Sequence, residues 1–207
     1  KDLLGGKGAN LAEMCNLKLP VPSGFTVSTQ ACLDYYKQEK SISEEIKKQV
    51  LEALKAVEKD TGKSFGDSTN PLLFSVRSGA KVSMPGMMDT VLNLGMNDET
   101  VVAIAKKTGN ARFAWDSYRR FIQMFANVVM GFNTSILEAQ LEDLKEARDY
   151  KNDTDLDAED LQELVDVYKQ VLLEEFGKSF PQDPMDQLWE SIGAVFGSWN
   201  NARAMKY

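Results

Sequence analysis

Residues 5–8, with the sequence Gly-Gly-Lys-Gly, have the types and spacing that can bind a phosphate group. Backbone N–H groups at a helix N-terminus attract anions, glycine lets a phosphate approach closely, and Lys7 supplies a mobile positive charge. The spacing matches neither the P-loop nor the dinucleotide-binding glycine motif. Two interpretations therefore stay open here, a phosphate site and a plain turn that starts a helix.

Arg77 is the second residue whose type and position suit phosphate chemistry. It follows a strand predicted over residues 72–76, and the carboxyl ends of buried strands are where α/β sheets usually place groups that contact ligands. An arginine there can hold two phosphate oxygens at once. The alternative is an arginine that pairs with a surface carboxylate.

The segment KVSMPGMMDT at residues 81–90 is expected to be a loop between two strands, at 72–76 and 91–94. Three of the nine methionines lie in this segment. Clustered methionines form an adaptable apolar surface, and Gly86 lets the backbone come close to a ligand. We interpret Gly86, Met87 and Met88 as part of a surface that touches a base or a moving partner.

The composition excludes several classes of chemistry and of partner. The 207 residues contain no histidine, which excludes a Ser-His-Asp triad, an imidazole metal ligand and a phosphohistidine within this chain. The net charge of −7 disfavours nucleic acid and anionic membranes as partners. Cys15 and Cys32 lie in apolar helical patterns, and we expect both to be reduced and buried in an intracellular protein.

Periodicity predicts an α/β first part followed by an all-α part. In the first part, Leu11, Met14 and Cys15 form one face of a short helix, and residues 25–28 suit a strand. Thr29 can cap a second helix, and Ser43 starts a third. In the second part, helices are expected at residues 98–107, 111–130, 134–150, 157–176 and 183–200.

Two patterns in the all-α part have structural explanations. Residues 153–157, Asp-Thr-Asp-Leu-Asp, superficially resemble a calcium loop but lack its glycine and its final glutamate, so we interpret Asp157 as a helix N-cap. Residues 112–121 alternate arginines with aromatic residues. We expect the aromatic side chains to be core and the arginines to form internal salt bridges.

Four segments together resemble the N-terminal nucleotide-binding domain of the pyruvate, phosphate dikinase family. They are LLGGKGANLAEM at 3–14, LPVPSGFTVST at 19–29, PLLFSVRSGAKVSMPGMMDTVLNLG at 71–95 and RFAWDSYRRFIQMF at 112–125. The resemblance runs through the whole chain. Water-using dikinases of the phosphoenolpyruvate synthase type share the lysine loop and the SVRS strand but not the SMPGMMDT loop, so they are the second interpretation.

The resemblance implies an α+β fold, a partial ATP-grasp nucleotide-binding domain with an all-α insertion. It implies a first lobe at residues 1–97, a helical insertion at 98–182 and a helix at 183–207 that returns to the lobe. In the family, ATP gives its β-phosphoryl group to a histidine on a swivelling domain and its γ-phosphoryl group to inorganic phosphate. The phosphohistidine then phosphorylates pyruvate. Mg²⁺ is required, and NH₄⁺ or K⁺ assists.

The resemblance also implies roles for particular residues. Lys7 matches the family's phosphate-binding lysine and Arg77 its catalytic arginine, and both would contact ATP. Gly86, Met87 and Met88 match the loop that closes over the terminal phosphate, and Thr90 at its end is a further ATP-binding candidate. No metal ligand is expected in this chain, because the family's metal-binding acids lie in the second lobe.

The sequence begins at Lys1 without an initiator methionine and lacks the histidine, so we expect a piece of a longer enzyme that is inactive by itself. The parent is expected to be a homodimer in the cytoplasm, or in a plastid or another organelle, with no nucleic acid or membrane as partner. A different-class alternative is a stand-alone nucleotide-sensing module. An exposed apolar core face would argue against that alternative.

Overall fold

The computed structural model describes residues 2–79 and 90–199. These residues form an α+β chain of α-helices and short strands that divides into two compact units. Unit 1 comprises residues 2–63, 77–79, 90 and 192–199 of the described part, and unit 2 comprises residues 64–76 and 91–191. The domain boundaries implied by the resemblance, at residues 97 and 182, stay a prediction.

Unit 1 begins with three helices, namely α1 (Gly5–Asn16), α2 (Thr29–Lys37) and α3 (Glu44–Thr61). Ser43 caps α3, as expected, by accepting a hydrogen bond from the N–H of Ile46. In α2 the cap is Ser28, which accepts from the N–H of Ala31. The expectation that Thr29 caps this helix is therefore wrong by one residue, since Thr29 is its first helical residue.

The strand expected at residues 25–28 is wrong. These residues have irregular backbone that leads from the end of α1 into α2. A strand needs a hydrogen-bonded neighbour, and residues 25–28 take part in neither sheet of the part of the chain that the structure describes. Two of the polar residues have other roles, since the side chain of Thr26 lies against Gly8 and Ser28 caps α2.

The core of unit 1 lies between α2, α3 and the last turns of α8 (Pro184–Ser198). The rings of Tyr35 and Phe196 pack with their centroids 5.3 Å apart, and the hydroxyl of Tyr36 donates to the carbonyl of Phe196 at 2.6 Å. The buried apolar side chains of this core are Ala31, Cys32, Tyr35, Val50, Leu54, Val57, Ile192, Val195 and Phe196.

The apolar face of α1 is not buried. Leu11, Met14 and Cys15 are all exposed, and the buried residues of α1 are the two glycines Gly5 and Gly8. The expectation that Cys15 is buried is therefore wrong, because no element in the described part of unit 1 covers this face. Cys32 is buried as expected, with 3% exposure, and its burial raises the pKa of its thiol to about 11.

Among residues 2–79 and 90–199, four short strands form two separate two-stranded sheets, with β1 (Ser64–Phe65) beside β2 (Pro71–Leu72) and β3 (Phe74–Arg77) beside β4 (Thr90–Leu94). β1 and β2 run parallel, with Ser64 opposite Pro71. The strand expected over residues 72–76 is interrupted at Leu73. The strand expected at residues 91–94 is confirmed and starts one residue earlier.

The helices expected in the second part are confirmed, with ends within three residues of the expected ones. They are α4 (Thr100–Thr108), α5 (Ala111–Val128), α6 (Ser135–Ala147), α7 (Ala158–Phe176) and α8. Asp157 caps α7 by accepting from the N–H groups of Glu159 and Asp160, as expected. None of the helices described is both long and apolar enough to cross a membrane.

The core of unit 2 is larger than that of unit 1 and centres on α5 and α7. Tyr118, Phe121 and Phe125 of α5 are fully buried there. Arg119 is also buried and pairs with Asp116 at 2.9 Å, while the exposed Arg120 pairs with the same carboxylate at 3.0 Å. The expectation for residues 112–121 is thus confirmed for Tyr118, Phe121 and Arg119. It is wrong for Phe113, whose side chain is exposed, and Arg112 donates to the backbone carbonyls of Leu156 and Asp153.

A fully buried glutamine joins α8 to the end of β4 within unit 2. The side-chain amide of Gln187 donates to the carbonyls of Met96 and Pro181, both at 2.8 Å. Its side-chain oxygen accepts from the N–H of Gly95 at 2.9 Å. One side chain therefore satisfies two buried backbone groups and a half-buried one, all of which lie outside the helices and strands.

Candidate functional site

Lys7 lies in the first turn of α1 rather than in a loop before it. The N-cap residue, Leu4, makes no side-chain capping bond, and the first turn contains no acidic residue. Helix N-termini carry partial positive charge and leave N–H groups without intrahelical partners. A lysine at this end adds to that charge, so the start of α1 presents uncompensated positive charge that an anion would stabilise.

Gly5 brings a second chain segment against the start of α1. Its φ of +66° lies in the left-handed region that favours glycine. A Cβ atom at Gly5 would lie 1.5 Å from the carbonyl oxygen of Gly79, a distance that no side chain can accept. The residues that follow β3 therefore touch the first turn of α1 at a point where only glycine fits.

The contact at Gly79 brings the backbone of the two candidate phosphate ligands together. A Cβ atom placed on Gly79 would lie 3.9 Å from the Cβ of Lys7 and 3.6 Å from the carbonyl oxygen of Leu4. Arg77, the last residue of β3, stands two positions before Gly79. The segments that carry Lys7 and Arg77 are thus neighbours within unit 1.

Both cationic side chains are open to solvent. Lys7 and Arg77 are exposed, and neither is among the salt bridges of residues 2–79 and 90–199. The surface ion pair considered for Arg77 is therefore not found in this part of the chain. Two exposed cations beside the N-terminus of a helix can neutralise the charge of a polyphosphate.

The remaining candidate residues are Gly86, Met87, Met88 and Thr90. Gly86, Met87 and Met88 lie outside the described residues. Thr90 is the first residue of β4 and is half-buried.

Three further residues support this site, and sequence reasoning did not assign them. Gly79 makes the close contact with Gly5, the side chain of Thr26 lies against Gly8, and Thr29 hydrogen-bonds to the residues before Gly5. The sequence does contain one indication of the role of Thr29, because Ser28 and Thr29 are adjacent at the start of a predicted helix. Only one of the two can be the N-cap, and the other is then available for a different partner.

Metal ligands were not expected in this chain. In residues 2–79 and 90–199, no group of three or more aspartate, glutamate or cysteine side chains is arranged to hold a metal ion.

Comparison with known proteins identifies a family. The chain matches the family model described as "Pyruvate phosphate dikinase, AMP/ATP-binding domain" over residues 1–52 and 38–207. It is 56% identical over 207 residues to pyruvate, phosphate dikinase of Rhizobium meliloti (strain 1021), and 55% identical over 208 residues to that of Clostridium symbiosum. It is also 56% identical over 207 residues to a chloroplastic pyruvate, phosphate dikinase of Mesembryanthemum crystallinum.

These alignments cover 100% of this chain but only 23%, 24% and 22% of the three relatives, in the same order. The chain therefore spans about a quarter of the length of the curated relatives it matches.

Proposed function

The chain belongs to the pyruvate phosphate dikinase AMP/ATP-binding domain family, and on that premise we propose that it is the N-terminal ATP-binding part of a pyruvate, phosphate dikinase. The whole enzyme would convert ATP, inorganic phosphate and pyruvate into AMP, pyrophosphate and phosphoenolpyruvate. A histidine on a swivelling domain of the same polypeptide would carry the phosphoryl group between the two reactions. The chain itself would supply part of the ATP site and no complete half-reaction.

The observation that carries this proposal is the contact between the start of α1 and the end of β3. It makes neighbours of the two segments that bear Lys7 and Arg77, and it presents them beside an uncapped helix N-terminus. Phosphoryl transfer is catalysed mainly by positioning and by neutralising charge on the phosphates. Lys7 and Arg77 are proposed to do this for the triphosphate as it is split.

Gly86, Met87 and Met88 are proposed to close over the terminal phosphate, with Thr90 at the base of this loop as a further contact to ATP. A closing loop excludes water from the reacting phosphate. The exclusion of water matters here because a dikinase that admits water to its ATP site hydrolyses ATP without phosphorylating its histidine.

The fold of the whole domain is proposed to be ATP-grasp, with a first lobe at residues 1–97, a helical insertion at 98–182 and a returning helix at 183–207. The α+β composition of the chain and its separate helical core support this proposal. The second lobe, which would complete the ATP site, is proposed to lie in the remaining three quarters of the polypeptide.

Mg²⁺ is proposed as a cofactor of the whole enzyme, with NH₄⁺ or K⁺ as an assisting cation. Among the described residues, no group of three or more acidic or cysteine side chains is arranged to hold a metal ion. The ligands are proposed to come from the second lobe. Lys7 and Arg77 act on the phosphate oxygens in either case.

The other partners follow from the same family assignment. Inorganic phosphate is the proposed second acceptor, and the parent enzyme is proposed to be a homodimer. Relatives include bacterial enzymes and enzymes named as chloroplastic, so the cytoplasm and a plastid are both proposed compartments.

Exposed apolar side chains in the first part of the chain support a role inside a longer polypeptide over a stand-alone nucleotide-sensing module. Six large apolar side chains between residues 3 and 25 are exposed, namely Leu3, Leu11, Met14, Leu17, Leu19 and Phe25. Soluble monomers rarely leave many large apolar groups uncovered in one region. A neighbouring part of the same polypeptide would cover them.

The test uses the full-length dikinase with Lys7→Ala and Arg77→Ala. Each change should abolish phosphorylation of the carrier histidine by ATP, because charge on the triphosphate is no longer neutralised. Transfer between the phosphohistidine and pyruvate should be unchanged, since it does not use this site. Radiolabel transfer to the protein from ATP and, separately, from phosphoenolpyruvate measures the two half-reactions.

Lys55→Ala is the matched control, because Lys55 is an exposed lysine of α3 in the same unit. It should leave both half-reactions unchanged. Equal loss of both half-reactions in the Lys7 and Arg77 variants would contradict the proposed roles.

A further inference from the structure

Thr29 connects the start of α2 to the residues that lead into α1. Its hydroxyl donates to the carbonyl oxygen of Asp2 at 2.6 Å and lies 3.2 Å from that of Leu3. Its backbone N–H donates to the carbonyl of Leu3 at 2.9 Å. One residue therefore holds two consecutive carbonyls of the segment immediately before Leu4 and Gly5.

These bonds form because Thr29 is the first residue of α2 and not its cap. The first N–H groups of a helix have no intrahelical partner. The hydroxyl of Ser28 accepts from the N–H of Ala31, which leaves both donors of Thr29 available for the chain at residues 2 and 3.

The same segment also contacts α1 beyond Lys7. A Cβ atom at Gly8 would lie 2.9 Å from the Cγ2 and 3.1 Å from the Oγ1 of Thr26. Residues 26–29 thus touch the chain before Lys7, at residues 2 and 3, and directly after it, at Gly8. The lysine lies between two points of attachment to one segment.

The position of Lys7 depends on these backbone attachments, because its side chain is exposed and forms no ion pair in the described part of the chain. Its location relative to Arg77 is therefore set by the backbone of the first turn of α1. That backbone rests on Gly79 on one side and on Thr29 on the other.

We propose that Thr29 is a positioning residue that holds the first turn of α1, and with it Lys7, against the end of β3. The inference rests on the proposed function, in which Lys7 and Arg77 bind the triphosphate of ATP. Thr29 acts through the backbone before Gly5 and does not itself contact the phosphates.

The test compares Thr29→Val and Thr29→Ser in the full-length dikinase. Valine keeps the branched shape and removes the donated hydroxyl bond, whereas serine keeps the hydroxyl. Thr29→Val should lower kcat/KM for ATP in the histidine-phosphorylating half-reaction by about three- to tenfold, the effect of one lost hydrogen bond. Thr29→Ser should restore it to within about twofold, and transfer between phosphohistidine and pyruvate should be unchanged in both variants.

Thr61→Val is the matched control for the loss of a threonine hydroxyl. Thr61 lies at the end of α3 in the same unit, is half-buried like Thr29, and donates its hydroxyl to the carbonyl of Val57 at 2.8 Å. Its loss should reduce stability without changing kcat/KM for ATP. A Thr29→Val variant that matches Thr61→Val in this parameter would overturn the inference.

Two further results would also overturn it. If Thr29→Ser were as impaired as Thr29→Val, or if Thr29→Val lost both half-reactions, the hydroxyl would not act on Lys7 specifically. Lys7→Ala in the same assay separates this inference from the proposed function. If Lys7→Ala abolishes the ATP half-reaction while Thr29→Val has no effect, only the positioning role fails.

Discussion

Gly5 is the residue on which the contact between α1 and the end of β3 depends most directly. The position combines a left-handed φ of +66° with a neighbouring carbonyl oxygen that would lie 1.5 Å from any Cβ. A left-handed conformation costs a non-glycine residue about 1–2 kcal/mol. The overlap with Gly79 adds a second cost, because backbone atoms would have to move.

Gly5→Ala should therefore destabilise the chain by about 1–3 kcal/mol more than the φ penalty alone, and it should weaken ATP binding in the full-length enzyme. Denaturant unfolding followed by circular dichroism measures the first effect. Gly62→Ala is the control, since Gly62 has nearly the same φ of +65° and nothing within 4 Å of the added carbon. If the two variants lost equal stability, the close contact at Gly79 would be wrong.

The two cysteines should differ strongly in reactivity. Cys15 is exposed and Cys32 is buried, and burial raises the pKa of the Cys32 thiol to about 11. Only the thiolate is nucleophilic, so at pH 8 Cys32 is protonated as well as covered. Iodoacetamide should modify Cys15 first in the native chain, with Cys32 following only in denaturant.

Peptide mapping by mass spectrometry after timed alkylation measures this difference. Comparable rates for the two cysteines in the native chain would contradict it.

At the level of elements, Gln187 holds α8 to the end of β4. Gln187→Leu keeps most of the side-chain volume but leaves the N–H of Gly95 and the carbonyls of Met96 and Pro181 without this partner. Each buried polar group left unsatisfied costs about 1–3 kcal/mol. The substitution should therefore reduce the free energy of unfolding by about 3 kcal/mol or more.

Gln170→Leu is the control, because the amide of Gln170 donates to the carboxylate of Glu174 on the exposed surface of α7. The Gln170→Leu substitution should change the free energy of unfolding by no more than about 0.5 kcal/mol. Chemical denaturation of both variants gives the comparison, and similar losses would mean that the Gln187 bonds contribute little.

Much of the element order was predictable from the sequence, because the spacing of apolar residues indicates long amphipathic helices. The helices α5 and α7 and the caps Ser43 and Asp157 were predicted correctly. The strand at residues 25–28 was not, since a two-residue alternation cannot show whether a pairing partner exists.

The candidate site was predictable in its residues but not in its geometry. Lys7 and Arg77 were assigned from residue type and family resemblance. Their spatial relation depends on Gly5 and Gly79, which are far apart in sequence and carry no side chain to form a pattern. The exposure of Cys15 was equally hidden, because an apolar face in the sequence does not reveal whether any element covers it.

At the level of the whole molecule, Lys7 and Arg77 supply positive charge to the candidate ATP site, and the acidic metal ligands are proposed to come from the second lobe. Lys7 and Arg77 are both exposed, so they attract phosphate weakly in water because the high dielectric constant screens their charge. The 207-residue chain should therefore bind ATP with a Kd above about 100 μM.

Isothermal titration calorimetry of ATP into the 207-residue chain measures this affinity. The Lys7→Ala chain is the control and should bind more weakly still. A micromolar Kd for the unmodified chain would show that the second lobe contributes less to ATP binding than proposed.

The bond from Tyr36 to the carbonyl of Phe196 joins residues 160 positions apart, and it has a consequence for the order of assembly. As the chain leaves the ribosome, every residue of unit 2 has been synthesised by residue 191, whereas unit 1 still lacks its last segment. Contacts between distant residues form slowly because a long loop must close first. The helical core can therefore be complete before the part that carries Lys7 and Arg77, so unit 1 is finished after unit 2 although its first residues are made earlier.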